Sequence, residues 1–214
     1  MSDRDAAGLL VNPITAVAML ELVGPGEAFV FSAGASQLGK FVAGLARDQG
    51  KRMIALVRRE DPVAILKKLG AEHVLNESDP GFSEQLALVL AKESPVIFLD
   101  AVAGAASARV HRAMGDNARW VIYGKLDASK AEILNPSEMI FRGKSVEGFW
   151  TTDWTQKASF LKKMRTFGEL QNRFRDGRWT TDISAELPLD QVIERLPQAL
   201  AQPDGKVQIV VSEK

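Results

Sequence analysis

The chain has no cysteine in its 214 residues. That removes disulfides, thiolate nucleophiles and cysteine-ligated zinc, and it fits a reducing compartment. It also lacks any excess of charge. Lys plus Arg and Asp plus Glu number 27 each, so no net field draws the protein to nucleic acid or to an acidic membrane surface. Its apolar runs are too short and too interrupted to span a bilayer. The first residues, Met-Ser-Asp-Arg-Asp, are charged and lack the apolar core of a secretory signal, so a cytoplasmic location is expected. Histidine is scarce: His73 and His111 have neither a second histidine nor a carboxylate at ligand spacing, and no metal site is expected. There is no Ser-x-x-Lys, no nucleophile elbow and no carboxylate pair placed for general acid–base work, so no catalytic residue is assigned. Repeats, low-complexity tracts and flexible linkers are absent as well.

What remains is an ordinary globular composition, 46% hydrophobic and 25% charged, in a chain long enough to bury a sizeable core. Strand-like apolar runs fall at Ala28–Ser32, Met53–Val57, His73–Asn76, Val96–Ala101, Arg119–Tyr123 and Ser145–Phe149. Amphipathic stretches alternate with them at Leu38–Asp48, Pro62–Leu69, Phe82–Ala91 and Ala106–Met114. Several strands are continuously apolar, as in a parallel sheet covered on both faces. Gly50 and Gly70 stand where helices should end. Before this unit, Asn12 reads as an N-cap and Pro13 as the first residue of a helix reaching about Val23. After it come a long amphipathic helix over Gln156–Arg175, an apolar run near Ile183–Leu187, a helix near Leu189–Ala199 and a strand over Lys206–Val211. The fold class expected is α/β: a Rossmann-type doubly wound parallel sheet with helices on both faces and a C-terminal αβ extension. The divisions are an entry helix and lead-in over 1–26, a dinucleotide-binding domain over 27–152, and a C-terminal segment over 153–214.

The most informative stretch is Gly34-Ala-Ser36-Gln-Leu-Gly39, which follows the first sheet strand and opens a helix. It keeps the first and last glycines of G-x-G-x-x-G and puts Ser36 at the middle one. Unpaired amides at such a helix start, with the helix dipole behind them, make a site for a pyrophosphate. Arg58 and Arg59 end the second strand, where NAD-selective folds carry an acid for the ribose hydroxyls. Guanidinium groups there suit a 2′-phosphate, although Glu60 and Asp61 also allow a plain charged loop. Asp100 and Tyr123-Gly124 end later strands on the same edge, with Asp100 read chiefly as the cap of its turn. Phe149, Trp150 and Trp154 form either a ligand wall or ordinary core and interface.

In order along the chain, Val-Asn12-Pro-Ile-Thr15-Ala, the glycine turn, Val-Arg58, Lys-Leu-Gly70-Ala-Glu-His-Val, Tyr123-Gly124, Gly148-Phe149-Trp150 and Gly205-Lys206-Val resemble the medium-chain dehydrogenase/reductase superfamily. The branch they look like is that of zinc-independent quinone oxidoreductases and 2-enoyl thioester reductases. The resemblance covers nearly the whole chain and implies NADPH as cofactor. By resemblance the helix of Asn12 and Thr15 contacts it, Ala35, Ser36, Gln37 and Leu38 cradle its pyrophosphate, and Arg58 holds the 2′-phosphate. Tyr123, Gly124, Phe149 and Trp150 then line the nicotinamide side, and Lys206 completes the site. Gly34 and Gln37 depart from the family turn, Gln37 being expected to narrow the approach to the pyrophosphate, and Lys125 stands where a smaller residue is usual. Family members begin with a β-rich catalytic domain carrying a general-acid tyrosine, and these residues look like the part that follows it. The implied function is NADPH-dependent hydride transfer to a conjugated small-molecule acceptor (an enoyl thioester, an enone or a quinone), with a homodimer through an edge strand. The alternative is a non-catalytic dinucleotide-binding or structural module.

Overall fold

β1 (Ala28–Phe31) is buried at all of its residues, and the reason lies in its neighbours. In the computed structural model, which describes residues 3–128, 135–201 and 205–211, apolar layers cover both faces of this strand. Phe29 and Phe31 face one core with Met19, Phe41, Met53 and Leu170. Ala28 and Val30 face another with Ile54, Leu86, Phe98 and Trp120. A strand buried on both sides has no polar face to alternate with.

Two helices, α1 (Asp3–Gly8) and α2 (Val11–Leu20), lead into β1. Then α3 (Gln37–Asp48), β2 (Arg52–Val57), α4 (Pro62–Leu69), β3 (His73–Asn76), α5 (Phe82–Glu93), β4 (Ile97–Asp100), α6 (Ala105–Ala113) and β5 (Arg119–Ile122) alternate. α7 (Pro136–Arg142) and β6 (Ser145–Gly148) close the sheet. The six strands are parallel, in the order β3-β2-β1-β4-β5-β6. The doubly wound sheet therefore stands, with its change of direction between β1 and β4. Ligands of such sheets sit outside the carboxyl ends of the strands at that point.

The C-terminal part holds α8 (Thr151–Lys157), α9 (Phe160–Arg175), β7 (Ile183–Pro188), a short 3₁₀ turn at Leu189–Gln191, α10 (Val192–Leu200) and β8 (Lys206–Val210). β7 and β8 form a separate parallel pair. Trp179 anchors this segment to α3, its ring 4.6 Å from that of Phe41, and Phe174 meets Phe41 edge-on at 5.7 Å. Among the described residues no helix is long and apolar enough to cross a membrane.

Four local expectations need correction. α2 begins at Val11 with Leu10 at the cap and no side-chain cap bond, so Asn12 is inside the helix rather than its N-cap. Pro13 is the third helical residue, still in the first turn where its missing N–H costs no helical bond. The single helix expected over Gln156–Arg175 is two helices. Ala158 is extended, and Ser159 caps α9 by accepting from the Lys162 amide at 3.3 Å. The 152/153 boundary consequently falls inside α8. Finally α1 and α7 had no counterpart in the sequence reading, although Asn135-Pro136 is a regular helix opening: Asn135 accepts from the Ser137 amide at 3.1 Å. Gly70 does end α4, in the left-handed region at φ 116°.

Candidate dinucleotide site

The turn after β1 is built by backbone constraint. Gly34 N donates to Leu56 O at 2.9 Å, tying the turn to β2, and Ser36 N donates to Ala33 O at 2.9 Å. A Cβ on Gly39 would lie 2.2 Å from Gly34 O, so only glycine lets α3 approach the strand this closely. Ser36 caps α3, its Oγ accepting from Gly39 N at 3.1 Å. That uses an oxygen lone pair and leaves the hydroxyl proton for a ligand. Among the described residues the amides of Ala35, Gln37 and Leu38 donate to no protein acceptor. Three free donors at the N-terminus of a twelve-residue helix form an anion cradle.

The facing turn after β4 is held by Asp100. Its fully buried carboxylate accepts from Ser32 Oγ (2.5 Å), Val102 N (2.9 Å), Ala103 N (2.9 Å) and Trp120 Nε1 (2.8 Å). Capping is thus its role. Both turns contain an alanine at positive φ, Ala33 at 50° and Ala103 at 51°, a conformation rare outside glycine and frequent where a ligand is gripped. Gly124 is required as well: a Cβ there would stand 2.9 Å from Ala101 O. Lys125 bridges the same loops, donating to Ala103 O at 2.9 Å and to Asp127 O.

Between these turns lies a cleft of about 250 Å³ lined by Ala35, Ser36, Arg58, Arg59, Glu77 and Val102. Arg58 is exposed just past β2, with Ser78 Oγ donating to its carbonyl at 3.0 Å. Among the described residues its guanidinium makes no ion pair or hydrogen bond, whereas Arg59 lies 3.8 Å from Asp61. Glu77 was missed by the sequence reading. It directly follows β3, so the rule that picked Arg58 at the end of β2 would have found it. Burial pushes its carboxyl above the usual range, with Asp100 adding to the rise and Arg58 and Arg109 opposing it.

A second cleft, of about 450 Å³, is lined by Leu10, Val11, Asn12, Gln37, Ile183 and Lys206. The structure therefore brings Asn12 and Lys206 together across α2 and β8. Gln37 departs from expectation. Its side chain does not narrow the turn but is buried against the C-terminal segment, donating to Thr180 O at 2.8 Å and accepting from Asp182 N at 2.9 Å. Leu38 likewise buries its side chain in the core, so only its amide faces a ligand. Thr15 spends its hydroxyl on Val11 O (2.6 Å) and Thr151 Oγ1 (2.8 Å).

Tyr123 and Phe149 are neighbours because β5 and β6 pair Ile122 with Gly148. Phe149 is half-buried and Trp150 is 68% exposed. The Tyr123 ring packs on Phe31 with centroids 5.7 Å apart. Its hydroxyl is buried and has no hydrogen-bond partner among the described residues, and desolvation, then the Asp100 charge, drives its pKa far up. The histidines are structural: His73 Nε2 lies 2.9 Å from Glu93 Oε1, and His111 Nε2 lies 3.0 Å from Ala118 O. Among the described residues no group of three or more His, Asp or Glu is placed to hold a metal ion. The free amides and the Arg58 guanidinium are a donor set whose chemistry suits a phosphorylated dinucleotide.

Comparison with known proteins places the chain in a family. The family described as zinc-binding dehydrogenase matches residues 38–166, more than half of the chain. The human mitochondrial enoyl-[acyl-carrier-protein] reductase is 30% identical over 193 residues, covering 87% of this chain and 52% of that protein. A candidate NADPH:quinone reductase of Mesorhizobium loti superposes with a TM-score of 0.89 at 45% identity, covering 97% of this chain and 60% of the other. The complex of Etr1p with NADP and crotonyl-CoA gives a TM-score of 0.76 at 25% identity, covering 89% and 55%. The chain thus spans about half the length of the enoyl reductases it matches, 52% in the human case. It belongs to the zinc-binding dehydrogenase family and, within the medium-chain dehydrogenase/reductase superfamily, to the branch of quinone and enoyl thioester reductases.

Proposed function

We propose that the chain is the NADPH-binding part of an oxidoreductase acting on a conjugated acceptor: an enoyl thioester, an enone or a quinone. The observation that carries this reading is the cleft lined by Ala35, Ser36 and Arg58 beside the start of α3, where among the described residues the amides of Ala35, Gln37 and Leu38 and the Arg58 guanidinium have no protein partner. Its relatives, an enoyl reductase and a candidate NADPH:quinone reductase, support the same chemistry. When bound, the cofactor supplies hydride from its nicotinamide ring. The chain's own residues bind and orient. The amides of Ala35, Gln37 and Leu38 and the Ser36 hydroxyl take the pyrophosphate, and Arg58 pairs with the 2′-phosphate. Gly124 gives the nicotinamide end its close approach, with Phe149 and Trp150 as the wall and Asn12 and Lys206 on the far side.

Neither Asp100 nor Tyr123, which end strands at this edge, is placed to deliver a proton. Asp100 has all its hydrogen bonds satisfied internally, and the Tyr123 hydroxyl is buried. A module that binds the dinucleotide without turnover of its own is accordingly the second reading. Pairing of two copies is also part of the proposal. β6 ends the sheet with a free edge, and α7 beside it exposes Met139, Ile140 and Phe141.

Calorimetric titration of NADPH and NADH into the wild type and Arg58→Ala tests the cofactor reading. Losing the guanidinium–phosphate pair should weaken NADPH by about ten- to a hundredfold while NADH changes little. Equal weakening of both would sink the role of Arg58. Failure of the wild type to bind NADPH would sink the cofactor assignment.

A further inference from the structure

We infer that Glu77 is a specificity-determining residue whose carboxylate accepts the ribose hydroxyls of an unphosphorylated adenosine, so that the cleft also takes NADH-type ligands. The inference rests on the proposed dinucleotide site and concerns which nucleotides that site admits.

Position comes first. The Glu77 amide donates to Val57 O at 2.7 Å, which fixes the residue beside the end of β2, next to Arg58. Its side chain lines the same cleft as Ser36, Arg58 and Val102. This is the region where Rossmann folds meet the adenosine ribose, normally with an acid carried on the end of β2. Here the end of β2 carries arginines, and the acid arrives from the end of β3. The function is kept in space while the residue moves one strand over.

Availability comes second. Among the described residues the Glu77 carboxylate makes no ion pair and no hydrogen bond, although Arg58 lines the same cleft. A half-buried carboxylate without a partner is costly to hold, and burial lifts its pKa accordingly. A ligand with vicinal hydroxyls would satisfy it. A 2′-phosphate would instead set two anionic groups in one cleft, with Arg58 and Arg59 in its lining to offset both. Glu77 and Arg58 therefore pull selectivity in opposite directions.

Three ligands separate the terms: ADP, 2′-phospho-ADP and 2′,3′-dideoxy-ADP, each titrated calorimetrically into the chain. Wild type should bind ADP about tenfold more tightly than the dideoxy form, the worth of a hydrogen bond to a charged group. In Glu77→Gln that preference should shrink to about twofold or less, and 2′-phospho-ADP should bind as well as before or better. The wild-type comparison needs no variant, so it stands even if Glu77→Gln folds poorly. Equal wild-type affinities for ADP and its dideoxy form would overturn the inference, as would an equal loss of all three ligands in Glu77→Gln. Binding of 2′-phospho-ADP with no binding of ADP would overturn it while leaving the NADPH reading intact. Failure of both ADP and 2′-phospho-ADP to bind would overturn the NADPH reading itself.

Discussion

At the scale of single residues, the site is made by groups that cannot be enlarged or moved. Gly39 is the clearest case, because any side chain there would collide with the Gly34 carbonyl at 2.2 Å. Gly39→Ala must push α3 away from the turn, an overpacking cost of about 1–3 kcal/mol. The same displacement spreads the free amides of Ala35, Gln37 and Leu38 out of register with a pyrophosphate. A lower melting temperature together with lost stabilisation by NADPH is the expected result in a thermal shift assay. Unchanged NADPH stabilisation in this variant would show that the cradle does not depend on the close approach. Gln37 carries the opposite lesson. Its place in the motif suggested a ligand contact, but its amide group is satisfied by Thr180 and Asp182, which lie more than 140 positions away in sequence.

At the scale of elements, β2, β3 and α5 are joined by one carboxylate. Glu93 at the end of α5 lies 2.9 Å from His73 Nε2 on β3 and accepts from Arg52 Nε on β2 at 2.8 Å. The hydrogen bonds from His73 and then Arg52 hold the Glu93 carboxyl down at about 2. Its folded-state pKa is below the unfolded value of 4.5. The stabilisation it gives is therefore complete above 4.5 and is lost as pH falls toward about 2. Glu93→Gln should cost about 1–3 kcal/mol at neutral pH, the range for a charge-assisted hydrogen bond. The gap from wild type should close on acidification toward pH 2. Melting temperatures of both proteins across pH check this, and a gap independent of pH would show that the carboxylate's charge is not what matters. Helix boundaries at this scale were only partly legible. The amphipathic pattern over Gln156–Arg175 is real, but periodicity does not register the break at Ala158, which is set by the Ser159 cap.

At the scale of the whole molecule, the proposed pairing of two copies rests on the β6 edge of the sheet. β6 is four residues long, and the helix before it exposes Met139 (46%), Ile140 (70%) and Phe141 (82%). Exposed apolar side chains on a short helix next in sequence to an edge strand are a common ground for pairing with a second copy. Phe141→Glu should convert a wild-type dimer to monomer in sedimentation velocity, with no change in NADPH affinity, since α7 lies away from the cleft. A wild type that sediments as a monomer at all accessible concentrations would remove the dimer from the reading. The sequence by itself determined the alternation of strands and helices. Buried parallel strands such as Ala28–Phe31 must be apolar throughout, and the helix opened by Ser36 needs small residues before it, so both leave local marks. It also located Arg58, because an end-of-strand position is a local property. Only the tertiary structure decided that Asn12 meets Lys206 across the larger cleft, that Gln37 serves the C-terminal segment, and that Glu77 shares a cleft with Arg58. The physical reason is the same for all three. Each juxtaposition depends on packing between elements far apart in the chain, and neither periodicity nor spacing encodes that directly.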